Sequence, residues 1–149
     1  MTRIRTGDRI VLADGEKALF LVNDGDEDFP NFSVVRKEIQ DNPPTREQGT
    51  DSPGRFNDGP SVHRSAVQET DWHRFEKERF AKEVSDILYK DAHKGDFERL
   101  VLVASPKILG TLRAEMHKEV SDRIVAEVPK TLTNHPLDKV EELLKEKVA

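Results

Sequence analysis

The residues best suited to binding chemistry sit close together in the chain. They are Asp51-Ser-Pro-Gly54-Arg55, then Gly59-Pro-Ser-Val-His63-Arg64, then Arg74. Glycine lets backbone amides approach an anion, and Arg55 and Arg64 can grip a phosphate or a carboxylate. His63 and His73 stand on either side of Asp71, so a polar site there is conceivable. The plain alternative is a turn-rich loop carrying solvated arginines. The functional reading takes Asp51, Gly54, Arg55, His63, Arg64 and Arg74 as partner- or ligand-binding residues, because long loops on rigid scaffolds often carry function.

Other chemistry fits less well. Asp24, Asp26 and Asp28 alternate like the start of an EF-hand loop, but the sixth and twelfth places hold Phe29 and Val35 where glycine and glutamate are needed. An acidic hairpin tip is the simpler reading. Ser105 lies between a strand and a helix, where a nucleophile can sit. Its context is Ala104-Ser-Pro-Lys107, not Gly-x-Ser-x-Gly, and Ser-Pro suits a helix cap. Asp14 ends the first strand inside an Asp-Gly turn, and the fourth strand holds no acid, so a two-metal nuclease set is disfavoured. The histidines have no zinc spacing, and the absence of cysteine removes thiolate catalysis and Cys-ligated zinc. No catalytic residue, metal or cofactor is expected. The reading leans away from an enzyme.

Positioning these residues requires a scaffold, and the clearest piece runs from Phe97 to Met116. Leu100 to Ala104 is an uncharged apolar run, the mark of a strand covered on both faces. Ser105-Pro106 then opens a helix with Ile108, Leu109, Leu112 and Met116 on one stripe. Upstream, Arg9–Ala13, Lys17–Val22 and Phe32–Ile39 predict three strands in a meander, the first turn at Asp14-Gly15. Residues 41–70 hold turn dipeptides and no strand-length apolar run; they predict a long loop, functional or disordered. Thr70 or Asp71 would cap a helix reaching Lys94 before Gly95, with Trp72, Phe75, Phe80, Val84, Ile87 and Leu88 as its buried stripe. Asp122–Val128 predicts a fifth strand, and Pro136 starts a last helix.

The resulting order, βββ-loop-α-β-α-β-α, predicts an α/β fold with a mixed five-stranded sheet in the order 3-2-1-4-5. That is a ribonuclease-H-like layout within one domain spanning residues 1–149. The composition gives 24 basic and 29 acidic side chains, a formal charge of −5, which argues against broad electrostatic capture of nucleic acid. A local basic patch is still compatible with that total. There is no apolar signal core and no membrane-length apolar run, so a cytoplasmic protein is expected.

Several short pieces together carry a resemblance over nearly the whole chain. They are Leu12-Ala-Asp-Gly15, Asp51-Ser-Pro-Gly-Arg55, His63, Phe80-Ala-Lys-Glu83, Leu100-Val-Leu-Val-Ala-Ser-Pro, Leu109-Gly110, Leu112-Arg113 and Lys130-x-Leu-Thr133. In this order they resemble the bacterial "protein required for attachment to host cells" family. That family is in turn similar to the middle domain of archaeal and eukaryotic peptide-chain release factors. The family commonly has an acid where this chain has Thr131. The release-factor domain carries Gly-Gly-Gln before its long helix, and this chain has no Gly-Gly-Gln. The resemblance therefore implies an interaction protein contacting its partner through 41–70 and the start of the long helix. As the alternative, it implies an RNA- or ribosome-associated protein without the hydrolytic motif. The partner and the oligomeric state are not implied.

Overall fold

The computed structural model describes residues 3–40 and 59–148, with side chains described for 3–40 and 74–147. Three strands come first: β1 Arg9–Ala13, β2 Lys17–Asn23 and β3 Phe32–Ile39. Helix α1 spans Gly59–Lys94. Strand β4 Leu100–Val103 leads into α2 Pro106–Glu115 and the single turn α3 Lys118–Ser121. Strand β5 Ile124–Val128 and helix α4 Leu137–Val148 complete the chain. The sheet order is β3-β2-β1-β4-β5. The meander is antiparallel, whereas β4 runs parallel to both β1 and β5. This is the mixed sheet expected from the sequence.

Alternation along the two central strands explains the layers. Val11 and Ala13 of β1, with Leu100 and Leu102 of β4, face a core closed by Phe80, Val84, Leu88, Leu109, Leu112 and Val120. Ile10, Leu12, Val101 and Val103 face the other way, against Val128, Leu132, Val140 and Leu144. Every residue of β1 and β4 is buried, as a strand sandwiched between helical layers must be. Helices α1, α2 and α3 cover one face and α4 the other.

Helix α1 departs from expectation at its start. It begins at Gly59, so the backbone of residues 59–70, read from sequence as loop, is helical. Pro60 lies in the first turn, where its missing N–H costs nothing, and Ser61–Thr70 contains no glycine or proline to stop propagation. Thr70 and Asp71 are thus helix-interior residues, not caps. Residues 41–58 of the expected loop lie outside the described residues. The C-terminus behaves as expected. Gly95 takes φ +80, its N–H donates to Ala92 O at 3.0 Å, and Asp96 N–H donates to Asp91 O at 2.9 Å. That pair of bonds is a Schellman cap.

Smaller corrections concern packing. Phe80, Val84 and Leu88 are buried on the expected stripe, but Phe75 is 59% exposed. The inward residue there is Glu76, four positions before Phe80. Trp72 lies outside the described side chains. The β1–β2 turn is a hairpin closed by Asp14 N–H to Lys17 O at 2.9 Å, so its central residues are Gly15 and Glu16, one place beyond Asp-Gly. Strand β5 starts two residues later than expected, because Asp122 and Arg123 form a turn after α3. Val120 of α3 is buried against the α1–α2 core. Helix α4 starts one residue after Pro136, whose carbonyl accepts from Val140 N–H at 3.0 Å.

Candidate functional site

β1, β4 and β5 are parallel, so their carboxyl ends share one edge of the sheet. In open α/β sheets that edge is where ligands bind. Here it gathers the β1–β2 turn, Ser105 at the start of α2, the Lys130–Asn134 loop after β5 and the middle of α1.

Asp14 organises the turn. Its Oδ1 accepts from the backbone N–H of Glu16 and of Lys17, both at 2.7 Å. Its Oδ2 accepts from Thr133 Oγ1 at 2.5 Å. Thr133 is buried. Lys17 Nζ donates to Asn134 Oδ1 at 2.5 Å. Leu12-Ala-Asp-Gly15 and Lys130-x-Leu-Thr133 therefore meet through one side-chain hydrogen bond across 119 residues of chain. Gly15 lies against α1: a Cβ there would stand 3.0 Å from Lys77 Cε, the movable end of an exposed side chain.

Glu76 is the second organising carboxylate. It is 3% exposed. Its Oε2 accepts from Arg79 Nη2 at 2.9 Å and Gln40 Nε2 at 3.0 Å. Gln40 Nε2 also donates to the Glu76 carbonyl at 2.8 Å. The end of β3 is thus pinned to α1. Glu76 Oε1 has no hydrogen-bond partner among the described residues. Arg79 also reaches Glu83 one turn on, at 3.9 Å.

The edge is fringed with exposed cations. Arg74 and Lys77 on α1, Lys107 in the first turn of α2 and Lys130 after β5 are all exposed. Among the described residues none of the four has an acidic partner. Ser105 is a cap, its Oγ accepting from Ile108 N–H at 3.3 Å ahead of Pro106 at the helix start. Both oxygens of Asp14 hold the fold together.

Of the sequence-derived site residues, Arg74 belongs to this fringe. His63 and Arg64 fall on the backbone of α1, with side chains outside the described set. Asp51, Gly54 and Arg55 lie outside the described residues altogether. The structure adds Asp14, Glu76, Thr133, Lys77, Lys107 and Lys130. Glu76 had a readable signal, because an acid four residues before Phe80 interrupts an apolar stripe. The acidic tip at residues 24–28 is structural: Asp26 Oδ1 accepts from Asp28 N–H at 3.0 Å and Phe29 N–H at 2.7 Å, and Asp28 pairs with Arg3 at 3.2 Å. No cluster of metal-ligating side chains occurs among the described residues, and none of their helices is long and apolar enough to cross a membrane.

A three-layer α/β protein with a cation-fringed carboxyl edge is the class that this geometry defines. The chain belongs to bacterial archaeo-eukaryotic release factor family 12, whose family model matches residues 8–144. Among curated proteins, none matches the chain.

Proposed function

We propose that this protein is a non-enzymatic binding protein that docks on ribosomal or other structured RNA through the carboxyl edge of its sheet. The observation that carries the reading is the fringe of Arg74, Lys77, Lys107 and Lys130, exposed and without acidic partners among the described residues. An unpaired surface cation loses no ion pair when it meets a phosphate, and each contact releases condensed counterions. Membership of a release-factor family supports the choice of RNA over other polyanions. The missing Gly-Gly-Gln argues against peptidyl-tRNA hydrolysis by the release-factor route.

The test is co-sedimentation of the full chain with ribosomes over a salt series. Binding should weaken steeply as salt rises. Replacing Arg74, Lys77, Lys107 and Lys130 together by glutamine should flatten the slope of log K against log salt by about 3 to 4, at roughly 0.7 per phosphate contact on single strands and roughly 0.9 on duplex. Absence from the ribosomal fraction at low salt would sink the reading.

A second reading places the contact with a protein, in a cytoplasmic role that affects attachment to host cells indirectly. It is supported by the glycine- and proline-rich 51–64 sequence with Arg55 and Arg64. Unchanged pull-down partners after Arg55→Ala and Arg64→Ala would remove it.

A further inference from the structure

Four of the five large hydrophobic residues that stand exposed among the described side chains fall within eleven residues of chain. They are Phe29, Val34, Val35 and Ile39, at 78%, 47%, 50% and 63% exposure. Three of them belong to β3, which forms one edge of the sheet. Only Phe32 of β3 is buried, and its middle residues 34–37 are exposed.

The backbone of that edge is ordered for pairing. Gln40 N–H donates to Glu16 O at 2.6 Å, and Ile39 stands opposite Lys17. In an antiparallel ladder, successive residues turn their N–H and C=O groups alternately toward and away from the neighbouring strand. Arg36 and Glu38 therefore face β2, while Lys37 and Ile39 present their backbone groups outward.

The side chains along this stretch are self-complementary. Val35-Arg36-Lys37-Glu38-Ile39 reads apolar, basic, basic, acidic, apolar. A second copy laid antiparallel, with the two-fold axis at Lys37, places Arg36 opposite Glu38 twice and Val35 opposite Ile39 twice. Arg36 and Glu38 already share one face, their side chains 2.7 Å apart, so the dimer would line up four alternating charges. The two Lys37 side chains meet on the opposite face, where their long stems can splay. A two-fold interface needs this kind of palindromic match. The β-bulge that makes Val35 the extra residue opposite Phe20/Leu21 limits regular pairing upstream, which restricts the edge to this short register.

We propose that the protein forms a two-fold dimer by antiparallel pairing of β3 with β3 of a second copy, in the register that opposes Arg36 to Glu38. The occupant of the edge is this same chain, because the charge order fits itself.

The test is sedimentation velocity on the full chain over a concentration series, with three charge variants. Arg36→Glu alone and Glu38→Arg alone each oppose like charges twice and should weaken the dimer about tenfold. Mixing these two variants should restore association, since each supplies the sign that the other lacks. The double variant Arg36→Glu with Glu38→Arg should dimerise like the parent. Far-UV circular dichroism should be unchanged throughout, because Arg36 is exposed and Glu38 only half-buried. The parent remaining monomeric at every concentration overturns the proposal. So does a single variant that dimerises like the parent, which would place the interface elsewhere, or a mixture that fails to re-associate.

Discussion

At the amino end of the parallel strands each described arginine meets an acid. Arg99 Nε reaches Asp8 at 3.0 Å, Arg9 reaches Asp91 at 2.9 Å, and Arg123 reaches Glu119 at 3.8 Å. Arg3 and Arg5 pair with Glu27. Arg9 and Arg123 also lie over the Phe97 ring, at 5.3 and 5.8 Å. Asp8 is buried, and it additionally accepts from Arg5 N–H at 2.8 Å. At the carboxyl end the charges are arranged otherwise. Two acids, Asp14 and Glu76, turn inward to hold a loop and a strand end, and the cations Arg74, Lys77, Lys107 and Lys130 are left to solvent. The same residue types thus build a closed end and an open end. Partnered, desolvated charges specify a structure but offer little to a ligand. Unpartnered surface charges contribute little to stability and are available for recognition.

Substitutions at the two ends should separate stability from binding. The largest stability effect is expected at the closed end. Arg99→Met leaves the Asp8 carboxylate buried without its guanidinium and should cost about 3 kcal/mol in chemical denaturation, with ribosome co-sedimentation unchanged once the protein is folded. Gly25→Ala comes next: its Cβ would stand 2.1 Å from Phe29 O, a backbone atom, so the 24–31 loop must shift, at about 2 kcal/mol. Thr133→Val should cost about 1 kcal/mol, because one oxygen of Asp14 loses its donor. The smallest effect belongs to the fringe. Glutamine at Arg74, Lys77, Lys107 and Lys130 should each move stability by less than about 0.5 kcal/mol while carrying the loss in RNA affinity. If fringe variants unfold the protein, or closed-end variants alone abolish binding, the division between the ends is wrong.

Much of the scaffold was legible because its signals are local. Apolar runs at Ile10–Ala13 and Leu100–Ala104 marked buried strands, and β1 and β3 emerged with their expected bounds. Ser105-Pro106 and Gly95 marked helix boundaries whose caps depend on a few adjacent residues. The start of α1 is not legible locally, because Thr70 and Asp71 are good caps in isolation, yet no glycine or proline between Ser61 and Thr70 stops a helix already begun at Gly59. Phe75 and Glu76 were exchanged for a related reason: one residue along a helix is a turn of about 100°, so a small phase error swaps wet for dry.

The site was less legible because it is an encounter between distant segments. Asp14 read as a turn residue and Thr133 as part of a motif, and no spacing rule connects positions 119 residues apart. Whether a lysine or arginine has a partner is likewise invisible in a sequence with abundant acids. What the sequence by itself determined was the order and character of the elements, the missing Gly-Gly-Gln and the palindromic charge order of β3, all carried by neighbours in the chain. Only the tertiary structure decided that Thr133 closes on Asp14, that Glu76 is the inward residue of its turn, and which cations remain unpaired. The physical reason is that pairing and burial depend on what the sheet brings together across the fold.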